Sequence, residues 1–558
     1  MAQARTTGRR LFLDLLRQEG VKVLFGNPGT TELPLMDAFA AEEDIRYVLA
    51  LQESLVMAMA DGYARASNGI AACNVHVAPG LGNAMGMLFD AMKAGSPVLV
   101  TAGQQAQGFG ITEPNLYAEL PPIAQHFTKY AVETRSIRDM PRLLHRAVKT
   151  ALAPPTGPVF VSFPVDVMNA EGEVEIGVPS RVAPHIVGDP AAIAQAAALL
   201  HKAERPVIIA GDAVAQSGAS AALMALAEAL AAPVYLEGEP TTLPFPPSHP
   251  LFRGPIVRLG AAIRKITDAH DLVFSAGADL FTLSLPPDVM PVADGYPIVH
   301  LDTNPWELAK NYPTAAAILG DPRTTLPEMT KALAGLMTAA DCSRRDARLS
   351  AVTSAIAADY AALQSRARAE ADRTPVSPLS LMQALGDTLP PEAVVVDESI
   401  SSGAGLFQFL QNTPPGNLFG NRGGGIGWGL PASIGVQLAL PDKRVVALIG
   451  DGSAMYSIQA LWTAAHDRVP VIFVIINNGA YRILKQRLSA TQGVAAQRGR
   501  YVGMELNNPA INFTGLAASM GVPAVSVKSI PQFIEALQLG LKSDHPLLID
   551  VATDPTFK

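Results

Sequence analysis

Two hydrophobic runs in the last third of the chain each end in residues suited to binding a hard cation. Val445-Val446-Ala447-Leu448-Ile449 leads into Gly450-Asp451-Gly452-Ser453, and the run 469–476 leads into Asn477-Asn478-Gly479. The Asp451 carboxylate and the Asn478 carboxamide, 478 − 451 = 27 residues apart, are hard oxygen donors. Mg²⁺ takes such donors in octahedral sites that it shares with phosphate. Flanking glycines let backbone N–H groups come close to phosphate oxygens. Open α/β sheets bind ligands at the carboxyl ends of parallel strands, so the pair reads as a site for Mg²⁺ and a diphosphate. Either half alone is more often a turn or loop; two halves that each end an apolar strand are far more specific.

The elements that must position these groups are also legible. Up to about residue 180, apolar runs at 21–25, 45–50, 71–76, 98–102 and 159–163 alternate with helical stretches such as 53–67 and 82–94. That alternation predicts a parallel, doubly wound sheet. The polar, Pro-containing stretch 170–190 reads as a linker. A second block, 187–345, repeats the rhythm at 205–212, 271–277 and 297–302. Its Gly211 and Gly277 turns could hold a nucleotide, but neither lies in a G-x-G-x-x-G fingerprint, so ordinary βα turns are expected. Segment 340–372 predicts a connecting helix, and the third block, 375–558, has strands at 394–396, 445–449, 471–476 and 547–551. The expected fold class is α/β, with three doubly wound parallel-sheet domains at 1–180, 187–345 and 375–558. The first and third share a rhythm without a literal repeat.

Composition narrows the class. A chain of 558 residues is too long for one core and suggests three or four domains. A net charge of −8 argues against a nucleic-acid partner, which normally meets a basic patch. The two cysteines, Cys73 and Cys342, read as free thiols of a reducing cytoplasm. No apolar run approaches the roughly 18 residues of a membrane span. Arg9-Arg10 before Leu11-Phe12-Leu13 has the look of a twin-arginine signal, but Asp14, Arg17 and Glu19 interrupt the apolar stretch. Leu11, Phe12, Leu15 and Leu16 recur at helical spacing, which predicts an amphipathic helix instead.

A second candidate for chemistry lies four hundred residues upstream. Val48-Leu49-Ala50-Leu51-Gln52-Glu53 is a strand ending in Glu at a helix start. By itself that Glu is explained by the helix macrodipole. Together with the downstream pair it resembles the catalytic-glutamate motif of thiamine diphosphate (ThDP) enzymes, whose cofactor signature is GDG followed by NN. Further matches are Gly26-Asn27-Pro28-Gly29-Thr30-Thr31-Glu32-Leu33-Pro34, the histidine loop Asn74-Val75-His76-Val77-Ala78-Pro79-Gly80-Leu81-Gly82-Asn83, Thr101-Ala102-Gly103-Gln104-Gln105, Pro250-Leu251-Phe252-Arg253-Gly254 and the segment 450–465. Over the whole chain these resemble the benzoylformate decarboxylase branch of the ThDP-dependent decarboxylase/acetohydroxyacid synthase superfamily. The synthases usually lack a histidine where His76 stands.

The resemblance implies roles. Asp451, Asn478 and the Ala480 carbonyl would bind Mg²⁺. Gly452, Ser453 and Ser401 would face the diphosphate, and Tyr481 would be among the cofactor-binding residues. Gly424 would offer its carbonyl to the pyrimidine amine, and Ile426 would be the wedge that keeps the cofactor bent. Glu53 would act at the pyrimidine ring nitrogen, and His76 would carry a proton near the reacting carbonyl. Thr30 stands where the family has a serine that binds the substrate carboxylate.

Two departures bear on the outcome. Ungapped matching from Gly277 to Asn304 puts Ser284 where the family has a second active-site histidine, and a serine cannot titrate near neutrality. Proton delivery after CO₂ loss is then weakened, and carboligation gains weight. Ile483 and Arg487 stand where the family has small or aromatic pocket residues, so they could reject a phenyl ring or attract an anion; alternatively Arg482, Lys485 and Arg487 are a solvated helix face. His249, His300 and His466 lie in no motif with an assignable role and read as structural.

The leading expectation is a ThDP- and Mg²⁺-dependent decarboxylase of an aromatic or branched 2-oxo acid. The alternative is a carboligase resembling acetolactate synthase. FAD in the middle domain is not expected. The family further implies a small-molecule substrate, active sites at a dimer interface and a cytoplasmic homotetramer, with no nucleic acid and no membrane.

Overall fold

In a computed structural model, residues 3–556 are described and form three α/β units, each on a six-stranded parallel sheet. Residues 1, 2, 557 and 558, the outer ends of the first and third expected domains, lie outside the described residues. In spatial order the first sheet runs Arg46–Leu49, Val23–Gly26, Ala71–Val75, Val98–Gln104, Val159–Pro164, Ala131–Glu133. The third runs Leu418–Gly420, Val394–Glu398, Val445–Gly450, Ile472–Asn477, Leu547–Ala552, Ala524–Val527. Counted within each unit, both orders are 2-1-3-4-6-5. The common rhythm of the two blocks is therefore a common topology.

The middle sheet runs Phe252–Pro255, Val234–Leu236, Pro206–Ala210, Leu272–Ala276, Ile298–Asp302, Ala316–Leu319, an order of 3-2-1-4-5-6. That is the order of dinucleotide-binding sheets. In all three units the order reverses beside the first strand, so a crevice opens at the carboxyl ends of that strand and its neighbour. These ends are Gly26 and Val75, Ala210 and Ala276, and Glu398 and Gly450.

Helices cover both faces of each sheet, and the central strands are therefore nearly continuous apolar runs. Val445–Gly450 and Ile472–Asn477 are buried along almost their whole length. Edge strands lack this signal. Ala131–Glu133 and Ala524–Val527 are short and half exposed, and they do not stand out in the sequence. The expected linker 170–190 needs correction: Glu171–Glu175 pairs antiparallel with Gln3–Thr7. Only Val174 of that strand is buried, so its alternating glutamates look like a solvated connection.

The Arg9-Arg10 pair lies in the first turn of helix Gly8–Gln18, whose Leu11, Phe12, Leu13, Leu15 and Leu16 are buried. Segment 340–372 is mostly the helix Ala339–Ala369. The first and third units meet through helices Glu53–Ser67 and Gly429–Ala439. Their backbones touch: a Cβ on Gly62 would fall 2.2 Å from the Ala432 carbonyl oxygen, and one on Gly435 1.9 Å from that of Met59. Only glycine permits such an approach. Among the described residues no helix is long and apolar enough to cross a membrane.

Candidate active site

The register of the third sheet explains why Asp451 and Asn478 meet despite their separation in sequence. Gly450 pairs with Ile476, so the chain leaves two adjacent strands side by side. The Asp451 carboxylate accepts from the N–H groups of Gly452 (2.9 Å) and Gly479 (2.7 Å). Asn478 Oδ1 accepts from the N–H of Ala480 at 3.1 Å. Burial pushes Asp451 up to about 6, and the backbone donors of Gly452, Gly479 and Ala480 oppose that rise. The Tyr481 ring covers Gly452, where a Cβ would come within 2.5 Å of Cε1. Ser401 sits in the turn Ile400–Ser402, and its carbonyl accepts from Arg482 at 3.4 Å.

These residues fit Mg²⁺ together with a diphosphate better than a cation alone. One carboxylate, one carboxamide and a carbonyl leave an octahedral ion short of oxygens, which phosphate completes. The hydroxyls of Ser453 and Ser457 are buried without a hydrogen-bond partner. Buried hydroxyls are normally paired, so an orphan next to Asp451 is a donor waiting for an anionic oxygen.

In the first unit Glu53 is 5 % exposed at the start of helix Glu53–Ser67. Asn27 Nδ2 donates to its Oε1 at 3.1 Å, and Asn83 Nδ2 donates to its Oε2 at 2.9 Å. The carboxylate is held by neutral amides in an apolar setting, which goes beyond what a dipole-stabilised helix start requires.

His76 follows the strand Ala71–Val75 and immediately precedes helix Val77–Ala94. Its Nδ1 lies 2.7 Å from Glu32 Oε2 and 3.3 Å from Thr31 Oγ1. Glu32 is buried and also accepts from the N–H groups of Gly29 (3.0 Å) and Gly103 (2.8 Å) and from Thr31 Oγ1 (2.9 Å). A carboxylate so placed favours the tautomer in which Nδ1–H donates to it, with Nε2 as the free nitrogen. Gly29 makes room, since a Cβ there would fall 2.1 Å from His76 Nδ1. Val77, the next residue, has φ +37°, a conformation that β-branched residues rarely adopt. Strain of this kind, about 1–3 kcal/mol, persists where the surroundings over-determine it.

Glu32 has no role in the sequence reading, although it lies in the quoted loop. Its signal was an acidic residue three positions past Gly29, and only the fold shows that it faces His76. Glu32→Gln is expected to lower kcat about 10- to 100-fold, the usual cost of losing a residue that orients a functional imidazole. Its pH profile should change as well. Steady-state kinetics across pH checks this; an unaltered profile would mean that Glu32 does not set the imidazole.

Thr30 begins the 3₁₀ turn Thr30–Glu32 and is exposed, whereas its neighbour Thr31 meets His76. Gly424 has φ +80° and is exposed, and Ile426 is half-buried. Ser284 is half-buried in a middle-domain loop, with its N–H on the Arg258 carbonyl at 3.0 Å. No described contact joins it to His76. On helix Arg482–Ala490, Lys485 pairs with Glu505 at 2.7 Å and Arg482 Nε donates to the Thr556 carbonyl at 2.9 Å. Ile483 is half-buried and Arg487 is exposed. Burial pushes His300 down to about 4, so it is neutral inside the middle sheet. His249 pairs with Glu228, and His466 stacks on Trp462.

One helix of the first unit, Val77–Ala94, meets both Glu53 and the Gly424 loop. Gly425 N–H and Asn421 Nδ2 both donate to Asp90, each at 3.1 Å. Asp90 lies 90 − 80 = 10 residues beyond Gly80 on helix Val77–Ala94. Gly80 is the residue packed against Glu53. Ten helical residues span about 15 Å along the axis, so the helix meets the two groups about 15 Å apart along its length.

Two sheets of one topology, with a buried carboxylate beside the crevice of one and a candidate cation–diphosphate site at that of the other, fit an α/β enzyme built around a diphosphate cofactor. The chain belongs to the thiamine pyrophosphate enzyme family, whose N-terminal TPP binding domain matches residues 6–109, central domain 193–329 and C-terminal TPP binding domain 401–551. It is a TPP-dependent enzyme of the decarboxylase/acetolactate synthase group. It is 33% identical to benzoylformate decarboxylase of Pseudomonas aeruginosa, over 97% of both chains. To a probable acetolactate synthase large subunit of Methanocaldococcus jannaschii it is 28% identical, covering 98% of this chain and 92% of the other. Its fold matches a ThDP-dependent 4-hydroxybenzoylformate decarboxylase of Rhodococcus jostii RHA1 with a TM-score of 0.85, at 30% identity over 99% of this chain and 100% of the other.

Proposed function

We propose that the protein is a ThDP- and Mg²⁺-dependent decarboxylase that converts an aromatic or branched 2-oxo acid to its aldehyde and CO₂. The observation that carries this reading is the pairing of a buried Glu53, held by two amides, with a His76 whose free Nε2 is set by Glu32. When bound, ThDP supplies the electron sink that loss of CO₂ requires. Glu53 holds a proton at the pyrimidine ring nitrogen. His76 Nε2 holds or releases a proton at the substrate oxygen, and the exposed Thr30 hydroxyl binds the substrate carboxylate. Asp451, Asn478 and the Ala480 carbonyl hold Mg²⁺, and Ser453 donates to the diphosphate. Ile483 and Arg487 are the residues of the third unit assigned to the substrate pocket.

The active site forms between two chains. Helix Val77–Ala94 supports this: it meets Glu53 at Gly80 and the Gly424 loop at Asp90, about 15 Å further along its axis, whereas both groups must touch one small pyrimidine ring. The assembly is a homodimer or a homotetramer of such dimers. Its unpaired Cys73 and Cys342 suit the reducing cytoplasm.

The deciding experiment is CO₂ release from a panel of 2-oxo acids in ThDP and Mg²⁺. Benzoylformate-like and branched acids are expected to react, and release should stop when Mg²⁺ is chelated. No cofactor-dependent CO₂ from any acid would sink the reading. A second reading, carboligation, is favoured by Ser284 standing in place of a titratable group. Product analysis with an aldehyde pair separates the two: a C–C bonded hydroxy ketone as the main product makes the protein a ligase.

A further inference from the structure

The middle domain has the strand order of a dinucleotide-binding sheet, yet its crevice is filled by the chain itself. Asp212 follows the first strand, Glu237 follows Val234–Leu236, and Asp279 follows Leu272–Ala276. All three carboxylates face the switch point, where a bound nucleotide would lie. The guanidinium of Arg422, from the third domain, enters between them. Its Nη1 lies 2.7 Å from Asp212 Oδ2 and 2.9 Å from Glu237 Oε1. Its Nη2 lies 2.5 Å from Glu237 Oε2 and 3.5 Å from Asp279 Oδ2. Glu237 is fully buried, and it also accepts from the N–H groups of Asp212 and Asp279. The fork of Arg fits such a bidentate partner, which a Lys point charge cannot match.

Arg422 sits two residues before Gly424, in Gly420-Asn421-Arg422-Gly423-Gly424-Gly425-Ile426-Gly427. The same loop is held on its other side by the first domain. Asp90 accepts from Asn421 and Gly425, and a Cβ on Gly423 would fall 1.9 Å from Asp90 Oδ1. Asn421 Oδ1 in turn accepts from the N–H of Gly423 at 2.9 Å. At the loop's start, Arg65 donates to the Gly420 carbonyl and Gly420 donates to Thr241. At its end, Gly427 donates to Glu398 at 2.7 Å. A loop with five glycines has many conformations to lose on ordering, so these anchors decide its shape.

We infer that Arg422 is a positioning residue that uses the middle domain's nucleotide-type crevice as the rear anchor of the loop presenting Gly424 and Ile426, opposite the Asp90 anchor of the first domain. The functional half of this inference rests on the ThDP reading above. Its structural half concerns only the loop.

The test uses full-length apo protein carrying Arg422→Ala, Arg422→Lys or Asp212→Asn. Amide exchange across 420–427 is followed without cofactor, and ThDP with Mg²⁺ is titrated by calorimetry. Faster exchange centred on 420–427 is expected. ThDP affinity should fall about tenfold or more for Arg422→Ala, as for other residues that orient a ligand-holding group. Arg422→Lys, with a charge but no fork, should fall between it and wild type. Asp212→Asn keeps the Glu237 pair and carries the test if Arg422→Ala does not fold. Wild-type exchange and affinity in a folded variant with a lowered melting temperature would overturn the inference, since a merely structural ion network moves stability alone. If wild type itself does not bind ThDP, the functional reading fails, and loop exchange still decides the anchor.

Discussion

Glu53→Gln is expected to abolish turnover while leaving the protein folded and able to bind ThDP and Mg²⁺. The substitution conserves shape. Glutamine can still accept from one of Asn27 and Asn83, and its own NH₂ then faces the other donor. That mismatch costs about 1–3 kcal/mol of local stability, the usual price of a buried unpaired donor. The substitution also removes the carboxyl proposed to act at the pyrimidine nitrogen. Loss of a positioned acid–base group typically costs 10²–10⁴-fold, and here kcat should fall at least by about that much. Single-turnover kinetics beside calorimetric titration of ThDP separates chemistry from binding. Turnover within tenfold of wild type would remove Glu53 from the mechanism.

The second large effect is a recovery. Glu53→Gln and Asp451→Asn should each be inactive alone, the first for want of the carboxyl and the second for want of the cation ligand. Mixed in one assembly, they should regain activity. If each site takes Glu53 from one protomer and Asp451 from its partner, as proposed, then in a heterodimer one site collects both substitutions and the other collects none. With random pairing, half the dimers are mixed, and about one quarter of all sites are intact. The structural reason is the helix Val77–Ala94, which faces Glu53 near its start and carries the Gly424 loop on Asp90 near its end. Co-expression with two purification tags measures the outcome. If the mixed species stays inactive, a site formed by one chain is the better account.

The motifs were readable because central parallel strands are apolar throughout and end abruptly in polar residues. Gly450-Asp451 and Asn477-Asn478 announce themselves as strand ends, and so does Gln52-Glu53. The spacing of 27 residues between Asp451 and Asn478 matches one crossover, and the register pairing Gly450 with Ile476 brings them together. The edge strands and the Glu171–Glu175 ribbon were not readable, since half-exposed strands carry mixed polarity and resemble loops.

By itself the sequence determined the class of the fold, and it singled out Asp451, Asn478, Glu53 and His76 as candidates for chemistry. Those depend on local patterns: apolar periodicity, strand-end polarity and glycine placement. Only the tertiary structure decided what orients them. Glu32 reaches His76 across 76 − 32 = 44 residues, Asp90 reaches Gly425 across 425 − 90 = 335, and Arg422 reaches Glu237 across 422 − 237 = 185. Hydrogen bonds and ion pairs of this kind act over about 3 Å in space and leave no period in the chain. The residue types in such contacts are common on any surface, and only burial shows that they are engaged.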